Sequence, residues 1–171
     1  MTACGGSTLL SLLRRYLSFT AIGHLAWEGA QMPLYTLWWT GSGGEIGFAI
    51  LHCTGGDLLI AALSLLAALA LMGPAWWPAR QFRRVAVTAV IFGLGYTIWS
   101  EYLNVFIRHS WSYTDAMPVV PWLGVGLTPL LQWLVVPAGA LNWAGRQVLR
   151  GQLPVISRDL VPIGGTIERP E

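Results

Sequence analysis

Four long apolar segments alternate with shorter polar connections along the chain. They cover approximately residues 16–39, 46–72, 85–107 and 118–143. A helix of about 20 residues crosses the roughly 30 Å of hydrocarbon in a bilayer, and each segment reaches that length. The pattern therefore predicts an all-α polytopic membrane protein, in which residues 1–147 form a single bundle of four transmembrane helices.

The fourth segment differs from the others in its proline content. Pro121, Pro129 and Pro137 interrupt it, and a proline inside a helix removes a backbone hydrogen bond and bends the axis. We therefore expect the fourth helix to be kinked. Residues 148–171 show little apolar periodicity and are expected to form a loosely ordered cytoplasmic tail.

Composition supports the membrane interpretation. Hydrophobic residues make up 54% of the chain and charged residues 11%, whereas soluble domains carry about 25% charged residues. The mean hydropathy is +0.56, which is high for a soluble domain. A net charge of +2 makes no basic face and argues against a nucleic-acid partner, while Cys4 and Cys53 alone cannot build a disulfide scaffold.

The distribution of arginine predicts the orientation. Of the ten arginines, only Arg108 lies in the first or third connection between segments, and the other nine flank the opposite ends. By the positive-inside rule, both termini are expected in the cytoplasm of a plasma (inner) membrane, with Glu45 and residues 110–116 outside. An arginine pair before an apolar run is also typical of a signal peptide, but His24 and Glu28 interrupt the run and no A-x-A cleavage site follows.

Polar side chains recur at helical spacing inside the first two segments. His24, Glu28 and Gln31 follow one another at i, i+4 and i+7, which places them on one stripe of a helix. On the second helix, His52 and Asp57 are about 140° apart and cannot both point at one spot. A buried charge at bilayer depth costs a few kcal/mol, so these groups need partners, protons or a function.

A weaker set of polar positions follows in the later segments. Glu101 and Asn104 share a face of the third helix, and Gln132 lies in the fourth segment. In the expected topology these groups converge on one level with those of the first two helices. We therefore expect Glu28 and Glu101 to face each other or a common ligand, in a polar cavity that opens outward beneath a lid formed by residues 109–115.

These positions suggest acid–base chemistry on a hydrophobic ligand, although the sequence leaves open whether the protein is an enzyme. The candidate catalytic residues are Glu28, Glu101, His24 and Asp57. The candidate substrate-binding residues are Gln31, His52, Asn104, Trp111, Tyr113 and Gln132. In this hypothesis the ligand is a lipid or an isoprenoid-like molecule, and carboxyl and imidazole groups donate and accept its protons.

Two alternatives remain open. In the first, the protein binds a metal or a haem, because histidine and carboxylate ligands suit Zn or non-haem Fe. The ligands would come from His24, Glu28, His52, Asp57 and Glu101, although no compact metal motif exists. In the second, the protein is a non-catalytic accessory subunit whose polar residues hold helices together. A membrane lipid is the expected partner in the main hypothesis, and a second copy or another membrane protein is left open.

One short motif resembles a family of membrane enzymes. The stretch His24-Leu-Ala-Trp-Glu28-Gly29 resembles the H-x-x-x-E-G segment of the emopamil-binding and sterol-isomerase family. The resemblance implies a multi-span fold in which a histidine and acidic residues handle protons on a sterol. That family carries a further K-E-Y-x-x-x-D-S-R-Y-like stretch, of which this chain has Glu101-Tyr102.

A second motif resembles the membrane lycopene cyclases. Trp111-Ser-Tyr113, followed by the stretch from Gly124 to Pro129, resembles their W-x-Y … G … P-x-E-E pattern. The paired glutamates of that pattern would fall near Leu131 and Gln132, so the cyclase carboxylates are missing here. Both resemblances cover a small part of the chain and favour a lipid-like ligand.

Overall fold

The computed structural model describes residues 6–73, 77 and 81–152, and these residues form no β-strand. The α-helices are α1 (Gly6–Gln31), α2 (Leu37–Thr40), α3 (Gly43–Met72), α4 (Phe82–Tyr102) and α5 (Leu127–Gln152). A 3₁₀ turn follows α1 and a π-helical turn, Leu103–Ile107, follows α4. The predicted all-α class is therefore confirmed for the described residues.

Two of the described helices are long and apolar enough to cross a membrane. They are Gly43–Met72, which is α3, and Phe82–Ile107, which is α4 with its π-helical extension. Helices α1 and α5 have 26 residues each and are less apolar, because polar residues occur along both of them. Two helices could thus cross a membrane, and the four-span arrangement stays a prediction.

The structure moves the ends of the first and fourth predicted segments. Helix α1 ends at Gln31, because Pro33 lies in a 3₁₀ turn and the chain becomes extended at Tyr35. The predicted span to residue 39 is therefore broken into two pieces. Helix α2 follows after this bend and is only 4 residues long.

The fourth helix begins at Leu127 and not at Pro118. Residues 118–126 form a turn instead, in which the backbone N–H of Leu127 donates to the carbonyl of Pro118 at 2.7 Å. Pro121 accounts for the difference, because a proline pushes the preceding residue out of the helical region. Helix α5 continues to Gln152 and so enters the predicted tail, whose residues 153–171 lie outside the described part. Pro137 lies inside α5, and the predicted kink stays a prediction.

The four long helices contact one another in the ring order α1, α5, α4, α3. A large apolar core fills the half of the ring that holds the start of α1 and the end of α5. It includes Leu12, Leu65, Val85 and Leu141. A smaller core of Met32, Tyr35 and Met117 fills the other half. Because His24, Glu28 and Gln31 lie along α1 between these two cores, the polar stripe occupies the middle of the structure.

Candidate functional site

Five polar side chains from three helices meet in the middle of the ring. Helix α1 provides His24, Glu28 and Gln31, whose spacing puts them on one face. Asp57 comes from α3 and Gln132 from α5. We call these five residues the central network, and α1, α3 and α5 are all needed to assemble it.

Gln132 is the hub of the central network. Its amide nitrogen lies 2.7 Å from His24 Nδ1, 3.0 Å from Glu28 Oε1 and 2.9 Å from Asp57 Oδ2. Gln31 adds a second amide, which donates to Glu28 Oε1 at 3.0 Å and to the Gln132 carbonyl oxygen at 3.3 Å. Each carboxylate therefore has at least one amide donor.

The Gln132 amide group has fewer hydrogens than there are potential acceptor atoms around it. An amide NH₂ has two hydrogens, whereas three potential acceptor atoms lie within hydrogen-bond distance of it. At most two of these contacts can therefore be two-centre hydrogen bonds from the amide. His24 Nδ1 and Asp57 Oδ2 are also 3.2 Å apart. The geometry thus places a buried histidine within hydrogen-bond distance of a partly buried carboxylate.

The central network is shielded from the surroundings except at Asp57. His24, Glu28, Gln31 and Gln132 are buried, while the Asp57 side chain keeps 14% of its surface exposed. Next to it on α3, a Cβ atom added at Gly55 or Gly56 would meet no other atom within 4 Å. The surface beside Asp57 is therefore open, as the two glycines suggest.

Two atoms of the central network have unused hydrogen-bonding capacity. His24 Nε2 and the Gln31 side-chain oxygen are buried and make no hydrogen bond in the described part of the chain. The His24 ring also packs against Trp133 of α5, with a distance of 5.2 Å between ring centroids. Trp133 is not among the candidate residues of the sequence analysis. Its position next to Gln132, in the middle of the fourth segment, was the available signal.

A second polar site forms around Glu101. Its carboxylate accepts a hydrogen bond from the Tyr113 hydroxyl, which also accepts one from the backbone N–H of Gly126 at 2.9 Å. Burial raises the pKa of the Tyr113 phenol above its usual value, so the hydroxyl stays a donor at neutral pH. This site connects α4 to the turn that precedes α5.

The loop expected to act as a lid is attached to the link between α1 and α2. The backbone N–H of Thr36 donates to the Ser112 carbonyl at 3.0 Å, and the N–H of Thr114 donates to the Leu34 carbonyl at 2.9 Å. Tyr35 and Tyr113 form the short antiparallel bridge between these bonds, with their rings edge to face. The loop is therefore held closed over the smaller apolar core.

The remaining candidate residues lie apart from the central network. His52 is exposed and stacks on Phe48, as expected from its rotation away from Asp57. Asn104 donates to the Ser100 carbonyl of its own helix, and the buried Trp111 ring nitrogen has no partner among the described residues. None of these three residues joins the central network.

Glu28 and Glu101 do not hydrogen-bond to each other or to a shared side chain in the described part. Both are buried, as expected, but Glu28 bonds to Gln31 and Gln132 whereas Glu101 bonds to Tyr113. The expectation that the two carboxyls face a common ligand therefore stays a prediction. Tyr113, from the loop before α5, is the described hydrogen-bond partner of Glu101.

The alternative of a metal site finds no donor set in residues 6–73, 77 and 81–152. No group of three or more histidine, cysteine, aspartate or glutamate side chains in this part of the chain is arranged to hold a metal ion. His24 and Asp57 point at each other and at the Gln132 amide instead.

Comparison with known proteins gives no match to a family model, to a curated protein or to a solved structure. The short motifs that resemble sterol isomerases and lycopene cyclases therefore gain no support from a wider similarity. The functional argument rests on the geometry of the two sites.

The hydroxyl of Tyr113 should stabilise the second site. Replacing Tyr113 with Phe leaves the buried Glu101 carboxylate and the Gly126 N–H without this partner, so we expect a loss of about 2 kcal/mol in the free energy of unfolding. Tyr102→Phe is the matched control, because Tyr102 is exposed on α4. Denaturant unfolding in detergent measures both. Equal stabilities of the two variants would contradict the assigned role of Tyr113.

Proposed function

We propose that the chain is a four-span protein of the plasma membrane that transfers protons to or from a lipid or isoprenoid-like molecule. The observation that supports this most directly is the meeting of His24, Glu28 and Asp57 around Gln132, where the end of α1, the middle of α3 and the start of α5 come together. Ionisable groups at that depth are costly in a membrane and are usually retained for a function.

The route to the central network supports a hydrophobic ligand. The network reaches the surface at Asp57, beside the bare backbone of Gly55 and Gly56, and α3 is the most apolar of the helices. In a membrane this surface faces hydrocarbon rather than water. A ligand with a hydrocarbon body can therefore approach laterally and present its reactive end to Asp57.

The pair of His24 and Asp57 provides the acid–base chemistry in this proposal. A proton held between Nδ1 and Oδ2 can be donated to a ligand at Asp57 and recovered afterwards, which is general acid–base catalysis. Glu28 and Gln132 position the pair. Glu101, which is buried and accepts a hydrogen bond from Tyr113, stays a candidate for a further proton-transfer group.

A second function, that of a non-catalytic accessory subunit, is favoured by one feature. Gln31 and Gln132 hydrogen-bond to each other and to both carboxylates, so the central network connects α1, α3 and α5 by itself. Polar side chains commonly hold membrane helices together in this way. The two functions predict different results for a substitution that removes the charge of Asp57 and keeps the size of its side chain.

Asp57→Asn separates these two functions. If Asp57 is the proton donor, the variant should fold but should no longer complement a deletion strain. The amount of lipid that co-purifies with the protein in mild detergent should fall at least tenfold. Asp115→Asn is the matched control, since Asp115 is exposed in the loop before α5. Lipid mass spectrometry and growth measure the result. Full complementation by a stably folded Asp57→Asn variant would leave the accessory-subunit function.

The expected orientation has its own test. In the structure Arg14 and Arg15 near the start of α1, Arg84 at the start of α4 and Arg146 near the end of α5 lie at one end of the helices, as the positive-inside rule requires for a four-span topology. Reporters fused after Arg146 and within residues 41–45 should therefore report opposite sides of the membrane. Both reporters on one side would contradict the proposed topology.

A further inference from the structure

An open depression of about 360 Å³ lies between α1 and α5 at the arginine-rich end of the structure. It is lined by Ser11, Arg14, Arg15, Ser18 and Trp143. This site is separate from the central network, because Ser11, Arg14, Arg15 and Ser18 precede His24 on α1 and lie on its exposed face, beside the large apolar core. We call it the arginine pocket.

The four α1 residues of the arginine pocket form one polar face on a helix that is otherwise mostly apolar there. Ser11, Arg14, Arg15 and Ser18 follow the spacing i, i+3, i+4 and i+7, and all four side chains are exposed. Trp143 provides the opposite wall, and its ring is anchored against Phe19 with 5.7 Å between centroids. Two hydroxyls and two guanidinium groups thus point into one concave surface.

The positive charge of the arginine pocket is not neutralised within the described part of the chain. Arg14 and Arg15 form no salt bridge there. The nearest acidic residue on α1 is Glu28, which is buried in the central network and is roughly 20 Å away along the helix. Glu45 and Asp115 lie beyond the other end of α1. An anionic ligand would therefore meet little opposing charge from the described residues.

We propose that the arginine pocket binds the phosphate of an anionic phospholipid. Guanidinium groups form paired hydrogen bonds to phosphate oxygens, and serine hydroxyls donate to the same oxygens. Basic pockets between helices at the cytoplasmic face are typical sites for such head groups, while tryptophan prefers the boundary between head groups and hydrocarbon. This inference rests on the proposed membrane arrangement and is independent of the chemistry assigned to the central network.

Native mass spectrometry of the full chain in detergent tests the site. The protein is titrated with phosphatidylglycerol, with phosphatidylcholine and with inorganic phosphate. We expect one molecule of phosphatidylglycerol to bind at least tenfold more tightly than phosphatidylcholine or inorganic phosphate, because it offers both the charge and the acyl chains. Arg14→Gln with Arg15→Gln should weaken its binding by about thirtyfold, since two arginine–phosphate contacts are lost.

The matched control changes the same charge at the same end of the protein. Arg83 and Arg84 lie at the start of α4, outside the arginine pocket. Replacing both with Gln should weaken phosphatidylglycerol binding by less than about threefold, because remote surface charges are screened. If both arginine pairs weaken binding equally, the attraction belongs to the whole basic end and the proposed site is wrong.

A milder double variant and a comparison with inorganic phosphate complete the test. Should the Arg14 and Arg15 double variant fail to fold, Ser11→Ala with Ser18→Ala is the milder change, and it should weaken phosphatidylglycerol binding by about tenfold. Inorganic phosphate binding as tightly as phosphatidylglycerol would overturn the lipid assignment. If the reporters confirm the orientation but the protein does not prefer phosphatidylglycerol, only the proposed phospholipid site is wrong. If the reporter test fails, the proposed membrane arrangement is wrong.

Discussion

Replacing Gly93 with Ala should destabilise the protein by roughly 2–3 kcal/mol, although the same change inside a helix is normally favourable by up to about 1 kcal/mol. The reason is the close approach of α5. A Cβ atom at Gly93 would lie 2.2 Å from two ring atoms of Trp133, which is itself 2% exposed and has no room to retreat. We expect the ring to be displaced from His24, so that the central network is disturbed as well.

Gly95→Ala is the matched control on the same helix. A Cβ atom at Gly95 would meet nothing within 4 Å, and the residue is exposed, so this variant should be as stable as the parent or slightly more so. Denaturant unfolding in detergent measures both variants. The two substitutions should thus have opposite signs. A Gly93→Ala variant that matched Gly95→Ala would show that α4 and α5 are not packed as described.

The sequence predicted the polar faces of individual helices well, because these depend on local geometry. The spacing of His24, Glu28 and Gln31 places them on one stripe whatever the helix contacts, and the 100° rotation per residue separates His52 from Asp57. Both features are present in the structure. On these two helices, spacing along the chain was therefore sufficient to say which side chains share a face.

Which polar faces of different helices contact one another could not be predicted in the same way. The prediction placed Glu28 opposite Glu101 or a common ligand, and it did not foresee that Gln132 of α5 lies next to Glu28. Which stripe faces which depends on the ring order of the helices and on the rotation of each helix about its axis. Neither quantity is encoded in spacing along one segment. The same holds for Trp133, whose contact with His24 depends on the missing side chain at Gly93.

The end of the first helix and the start of the fourth long helix were the other source of error, and proline explains both of these. Hydropathy alone extends the first segment through residue 39 and begins the fourth at residue 118. Pro33 and Pro121 instead put extended or turn conformations into these apolar stretches. The consequence for function is direct, since the displaced residues form the bridge between Tyr35 and Tyr113 and the turn that contacts Glu101.

Gln132→Leu should cause the largest loss of stability among the polar substitutions, about 3–5 kcal/mol in the free energy of unfolding. Leucine has nearly the volume of glutamine and fits the helix, so the effect isolates the amide. Without it, Glu28 keeps the Gln31 donor, but Asp57 loses its amide hydrogen bond and keeps His24 as its described partner. Partly buried and buried carboxylates that lose donors are expensive because water cannot replace them.

A second substitution tests whether the loss comes from the carboxylate. Asp57→Asn in the Gln132→Leu background removes the charge that has lost its donor, so it should restore part of the stability, by about 1–2 kcal/mol. Asn142→Leu is the control for the hydrophobic substitution on α5, because Asn142 is exposed and bonds to the Ala138 carbonyl of its own helix. We expect this control within about 0.5 kcal/mol of the parent. If Gln132→Leu is no less stable than Asn142→Leu, the amide does not organise the buried charges. The five side chains would then be neighbours without forming a network.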